Sequence, residues 1–230
     1  MISKIVASTA DAVRDIPDGA TVMIGGFGTA GQPVELIDAL LEQGASGLTI
    51  VNNNAGNGTT GLAALLAAGR VRKIICSFPR QVDSQIFDGL YRDGQLELEL
   101  VPQGTLAERI RAGGAGIAGF FTPTAFGTTL AEGKETRHIN GRDYVLEDAL
   151  LADFALVKAH RGDRLGNLVY RKTARNFGPM MASAASVAIA QVSQVVEVGS
   201  IDPEAVVTPG IFVNRLVETG GALPPATEGQ

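Results

Sequence analysis

Tryptophan is missing from the 230-residue sequence, cysteine occurs once and histidine twice. One thiol, Cys76, cannot close a disulfide within the chain, which fits a reducing compartment. It sits in the apolar run Ile74-Ile75-Cys76 and reads as a small buried hydrophobe rather than a nucleophile. His138 and His160 stand far apart and lack the spacing of zinc ligands, so no metal site is expected. No apolar run approaches the roughly 20 residues that a bilayer span requires. No cluster of Lys and Arg forms a basic stripe, and the formal net charge is −5, which argues against nucleic acid and anionic membrane as partners. The opening stretch, MISKIVASTADAVRDIP, lacks the apolar core of a secretory signal, and the expected location is cytoplasmic.

What the sequence has in excess is glycine: 29 residues with no collagen-like period, in a chain that is 45% hydrophobic. Such a combination describes tight turns between short buried segments. Thr21–Ile24, Leu48–Val51 and Ile74–Cys76 read as buried strands. Between them, Pro33 suits a first helical position, Val34, Leu36, Ile37, Leu40 and Leu41 carry the helical period, and Gly44 suits the C-terminal cap. A second helix is expected over 61–68. Repeated strand–helix units predict an α/β fold, a mainly parallel sheet flanked by helices. Leu96, Leu98 and Leu100 alternate with Glu97 and Glu99, a strand with one wet face. Thr105 and Glu108 have the spacing of a capping box for the next helix. Asn140-Gly141 predicts a β-hairpin excursion over 136–146 with a type I′ turn. Phe154–Ala159 reads as a strand, 180–192 as a helix and Val195–Val198 as a strand. Residues 1–218 are expected to form one domain and 219–230 a flexible tail.

Two places could carry chemistry. The first is the loop Gly25-Gly26-Phe27-Gly28-Thr29-Ala30-Gly31, between a strand and a helix, where glycines let main-chain N–H groups approach an acyl oxygen or phosphate. It is not a nucleoside-triphosphate P-loop. Gly26, Gly28 and Gly31 do fit G-x-G-x-x-G, but asparagines (Asn52, Asn53, Asn54) replace the acidic ribose partner expected after the second strand. Local pattern alone is equally compatible with tight turning. The second place is Gln103, which lies at a strand end just before a helix, where α/β sheets hold their ligands; position alone also fits a helix cap. Arg171, Lys172 and Arg175 could meet a phosphate or carboxylate, though solvation explains them as well.

The segment from Asp18 through Gly25-Gly26-Phe27 to Gly31-Gln32-Pro33 resembles the alpha-subunit signature of 3-oxoacid CoA-transferases. The likeness continues through Asn53–Gly56, Pro102–Gly114, Thr122–Thr124, Phe154–Ala159 and Ala174–Phe177, leaving out only the tail. Cys76–Gln81 and Asn176–Pro179 look most like the members that act on 3-oxoadipate in aromatic-compound breakdown; acetoacetate-specific members are the alternative. The resemblance implies a CoA-transferase fold, shared with sugar-phosphate isomerases of the NagB–RpiA type. It also implies coenzyme A as a substrate rather than a cofactor. CoA would pass from succinyl-CoA to a 3-oxoacid by way of a glutamyl-CoA thioester. The glutamate of that family belongs to a Ser-Glu-Asn-Gly motif on a beta subunit; that motif is absent from this sequence. A heterodimer or heterotetramer is therefore implied. Gln103 would stabilise the oxyanion, and Gly25–Gly31 with Asn53 and Asn54 would face substrate or CoA. A stand-alone isomerase or binding protein of the same fold is the remaining alternative.

Overall fold

The computed structural model describes residues 2–220. Of the expected tail, positions 221–230 lie outside the described residues.

The strands are β1 (Thr21–Ile24), β2 (Leu48–Val51), β3 (Val71–Cys76), β4 (Glu97–Leu100), β5 (Gly119–Thr122), β6 (Thr136–Ile139), β7 (Arg142–Asp148), β8 (Ala152–Asp163), β9 (Leu168–Val169), β10 (Ala185–Val196) and β11 (Arg215–Glu218). The helices are α1 (Thr9–Val13), α2 (Val34–Gln43), α3 (Leu62–Ala67), α4 (Gln85–Arg92), α5 (Gln103–Gly114) and α6 (Gly178–Ala184). Among the described residues the main sheet runs β11-β10-β8-β1-β2-β3-β4, all parallel, with β9 added antiparallel to β8. This is the expected α/β architecture.

Because strand side chains alternate, β1 feeds both faces of the sheet. Val22 and Ile24 join one apolar cluster with residues of α1, α2, α3 and α4, while Met23 joins another with Leu106 and Ile110 of α5 and Met181 of α6. Each fully buried Leu or Ile in these layers contributes about 1.5–3 kcal/mol of transfer free energy. Helix α2 ends as its sequence predicts: Gly44 has φ 98° and its N–H donates to Leu40 O. The hairpin is also present. Asn140 (φ 50°) and Gly141 (φ 77°) turn β6 into β7, and β5 completes a three-stranded antiparallel sheet.

Several expectations fail locally. The helix expected over 180–192 stops at Ala184, and the chain continues as β10, in register with β8 from Ala185↔Ala152 to Val196↔Asp163. An Ala-rich segment is compatible with either state; a long ladder to a buried partner decides it, helped by Val187, Ile189 and Val192. The Thr105–Glu108 capping box does not form either. Pro102, in an extended conformation (φ −54°, ψ 138°), is the N-cap, and α5 begins at Gln103 with Thr105 buried in its first turn.

Helix α5 is tied down by charge. Arg109 Nη1 lies 2.9 Å from Glu99 Oε1 on β4, and Lys73 Nζ on β3 lies 2.7 Å from Glu99 Oε2. Glu99, expected to be simply solvated, is thus half-buried between two cations. Burial alone pushes its carboxyl up, but the hydrogen bonds from Lys73 and Arg109 outweigh it and hold the pKa below the ordinary 4.5. A carboxylate whose pKa is depressed by folding contributes stability above its unfolded pKa and loses it as pH falls through the folded value. Glu99→Gln is therefore expected to lower the Tm at neutral pH. The gap to wild type should close as pH drops below about 4.5. Thermal melts across that window check this, and a gap independent of pH refutes it.

Candidate functional site

The chain lays down β2, β3 and β4 successively on one side of β1, then returns to place β8, β10 and β11 on the other. Connections leaving β1 and β8 therefore diverge and open a crevice at the carboxyl edge of the sheet, the usual ligand position in such folds. Gly25–Gly31 leaves β1 at this point. Gly25 N donates to Leu156 O of β8 at 2.9 Å, and Phe27 and Ala30 exchange main-chain hydrogen bonds of 3.0 and 3.2 Å across the loop, which includes Thr29. Gly26, Gly28 and Gly31 have φ of 130°, 60° and 73°. At Gly31 the demand for glycine is also spatial: a Cβ would lie 2.3 Å from Ala174 O.

The element pressing on this loop is the turn 171–177, and its key residue is Asn176. The Asn176 Oδ1 accepts from Gly26 N (3.1 Å) and from Phe177 N (2.8 Å), and Nδ2 donates to Ala30 O (2.9 Å) and Thr173 O (3.1 Å). One carboxamide thereby clamps both ends of the glycine loop, from a residue held at φ 22°. Sequence reasoning did not assign Asn176 a role, although it lies within the Ala174–Phe177 likeness.

The second part of the site is built across the ends of β2, β3 and β4. Asn52 Nδ2 donates to Ile24 O at 2.6 Å, joining the end of β2 to that of β1. Asn53 is only 2% exposed, and its main-chain oxygen accepts from Ser77 N and Phe78 N just past β3. Its side-chain Oδ1 accepts from Ser77 Oγ at 2.8 Å and from Gln103 Nε2 at 2.8 Å. Asn54 Oδ1 accepts from Gly56 N at 3.1 Å, while its buried Nδ2 has no partner among the described residues. Gln103 itself is exposed, at the first position of α5. It reaches over the end of β3 to Asn53 on β2, so the structure brings Gln103 and Asn53 together. No hydrogen bond links either to the glycine loop among the described residues; Asn52 and the β1–β2 ladder connect the two parts.

Chemically, this edge offers donors. A primary amide has two N–H groups, and Asn53 engages one of those on Gln103 Nε2, leaving one for an incoming oxygen. The open N–H groups of the first turn of α5 add partial positive charge. Every hydrogen-bond partner found for Gln103, Asn53 and residues 25–31 is an amide, a hydroxyl or main chain. Cys76, nearby on β3, is buried, and burial pushes its thiol pKa up to about 12, so it stays protonated. Among the described residues no group of three or more His, Cys, Asp or Glu side chains could hold a metal, and no helix is long and apolar enough to cross a membrane. A surface hollow lined by Arg111, Met180, Ser183 and Phe212 touches none of the site residues.

Known proteins share both this fold and this sequence. The chain is 67% identical over 222 residues to the A-type subunit of the 3-oxoadipate CoA-transferase of Pseudomonas putida, covering 96% of each chain. It is 54% identical over 202 residues to the A-type subunit of the succinyl-CoA:3-ketoacid coenzyme A transferase of Xanthomonas campestris pv. campestris (strain B100), covering 88% of this chain and 83% of that one. The solved acyl-CoA transferase YdiF of Escherichia coli O157:H7, a thioester complex with CoA, superposes with a TM-score of 0.81 at 21% identity. That likeness spans 94% of this chain and 47% of the YdiF chain and shows the shared fold. Residues 6–219 match the family described as Coenzyme A transferase, so a sheet edge furnished with amide donors and, among the described residues, with no carboxylate hydrogen-bonded into it belongs, in this chain, to a member of the coenzyme A transferase family.

Proposed function

We propose that this chain is the alpha subunit of a heteromeric enzyme that moves CoA from succinyl-CoA to 3-oxoadipate, with the nucleophilic glutamate supplied by a beta subunit. The observation that carries this reading is the Gln103 amide, exposed at the start of α5 and steered by Asn53 at 2.8 Å, on a site whose hydrogen-bond partners among the described residues include no carboxylate. The high identity to the Pseudomonas putida protein supports the substrate. Phe27 and Phe78, 50% and 59% exposed on loops at the same sheet edge, are apolar surface that a partner chain would cover.

In this reading a glutamate carboxylate of the partner attacks the thioester carbonyl of succinyl-CoA. The carbonyl oxygen becomes an oxyanion, and Gln103 donates its free N–H to it. Collapse breaks the C–S bond, releases CoA thiolate and leaves a mixed anhydride. The thiolate then attacks the glutamyl carbonyl, releases succinate and forms glutamyl-CoA. The 3-oxoacid carboxylate repeats the sequence in reverse and leaves as its CoA thioester. Nothing is oxidised or reduced, and a carboxylate serves because its anhydride and thioester both remain reactive. Coenzyme A enters as a substrate, and no further cofactor is required. The glycine loop, held by Asn176, is assigned to the acyl or CoA moiety.

The relative from Xanthomonas campestris is named for 3-ketoacids as a class, and acetoacetate, another member of that class, is the second reading. A substrate panel with the co-expressed pair separates the two: kcat/KM for 3-oxoadipate is expected to exceed that for acetoacetate. Equal or better use of acetoacetate overturns the choice of acid while leaving the transferase reading intact.

A further inference from the structure

Gln103 can stabilise an oxyanion only if its amide is held the right way round, and α5 does not do this by itself. A glutamine at the first position of a helix projects on a flexible side chain, and a carboxamide turned end for end would offer its oxygen to the oxyanion instead of its N–H. The one side-chain hydrogen bond that fixes it among the described residues is to Asn53 Oδ1, at 2.8 Å. Asn53 has the same ambiguity: with its own carboxamide turned, Nδ2 would face Gln103 Nε2, donor against donor. What opposes that turn is Ser77. Its Oγ donates to Asn53 Oδ1 at 2.8 Å; with the carboxamide turned, Oγ would accept from Nδ2 instead, and the hydroxyl proton would be left only the longer bond to Asn53 O, at 3.2 Å. Asn53 is almost wholly buried, so no bulk water replaces the serine. The end of β3 holds the serine in turn, because Ser77 N donates to Asn53 O at 3.2 Å.

We propose that Ser77 is a positioning residue for the transfer reaction: by donating to Asn53 Oδ1 it sets the Asn53 carboxamide, which sets Gln103 with an N–H toward the developing oxyanion. The inference rests on the reading of Gln103 as the oxyanion donor. It gives a role to a residue whose hydrogen bond to Gln103 runs only through Asn53. A hydroxyl acting in this way affects the transition state far more than substrate binding, since the oxyanion exists only there.

The test uses the co-expressed complex. Ser77→Ala is expected to lower kcat about tenfold with KM for either substrate changed by less than about twofold, the size of coupling found between side chains in one hydrogen-bonded network. Ser77→Thr, which keeps the hydroxyl, is expected to restore kcat to near wild type. The decisive comparison is the double variant: because Ser77 acts through Gln103, Ser77→Ala is expected to cost nothing further in a Gln103→Ala background. If Ser77→Ala does not yield folded complex, Ser77→Cys, with a weak donor in the same place, gives the same comparison. Activity of Ser77→Ala within twofold of wild type overturns the proposal, and so do losses that simply multiply in the double variant. A wild-type pair with no CoA transfer at all would instead overturn the transferase reading, and the Ser77 proposal with it.

Discussion

Purified without a partner chain, this protein is expected to transfer no CoA between succinyl-CoA and 3-oxoadipate, and co-expression with its beta subunit is expected to restore turnover. The physical reason is the composition of the site. The carboxyl edge of β1–β4 gathers Gln103, Asn53, Asn52, Ser77 and the glycine loop, all of them uncharged amides, a hydroxyl or main chain. Transfer through a covalent intermediate needs a nucleophile that can be acylated and then deacylated. The thiol that lies nearby, Cys76, is held protonated by burial at a pKa of about 12. The carboxylate Glu99 is held between Lys73 and Arg109 (2.7 and 2.9 Å), where acylation would cost it both ion pairs. Amides can stabilise charge on a substrate but cannot carry the acyl group. The assay is CoA transfer by the single chain, by the pair, and by the pair with the partner's glutamate replaced. Turnover by the single chain, or a covalent CoA adduct trapped on one of its own glutamates, overturns the shared-site reading.

Replacing Gln103 with alanine in the active pair is expected to reduce kcat by roughly 10²–10³, about 2.7–4 kcal/mol of barrier, the range for losing one oxyanion donor. The loss should fall equally on kcat and kcat/KM, because the interaction strengthens as the tetrahedral oxyanion forms. Folding should be little affected: Gln103 is exposed, and α5 is anchored instead by Leu106 and Ile110 in the core and by Arg109 against Glu99. Steady-state kinetics with both substrates, next to a thermal melt, separates the two effects. A loss below threefold removes Gln103 from the site, and a loss confined to KM reassigns it to substrate binding.

These expectations draw unequally on sequence and structure. The strands Thr21–Ile24 and Leu48–Val51, the cap at Gly44 and the turn at Asn140-Gly141 were legible in the residues because each depends on local pattern: a short buried apolar run, a left-handed glycine, a type I′ pair. Alanines 185, 188 and 190 were not legible in this way. Alanine suits a helix better than a strand, and only pairing with β8 over 185–196 makes the strand the stable state. The start of α5 was missed for a related reason. Thr105 and Glu108 fit a cap by spacing, but Pro102 begins the helix earlier, and this places Gln103 in the first turn.

By itself the sequence determined the α/β class, the family likeness, the position of the glycine loop and Gln103 at a strand end. It also lacked the Ser-Glu-Asn-Gly motif, which points the nucleophile elsewhere. Tertiary structure alone decided which groups act together. Gln103 and Asn53 are 50 positions apart in the chain, and Gly26 and Asn176 are 150 apart. No local propensity encodes a hydrogen bond of that separation. It exists because parallel strands bring their carboxyl ends to one edge, where side chains from successive crossovers lie within a few ångströms.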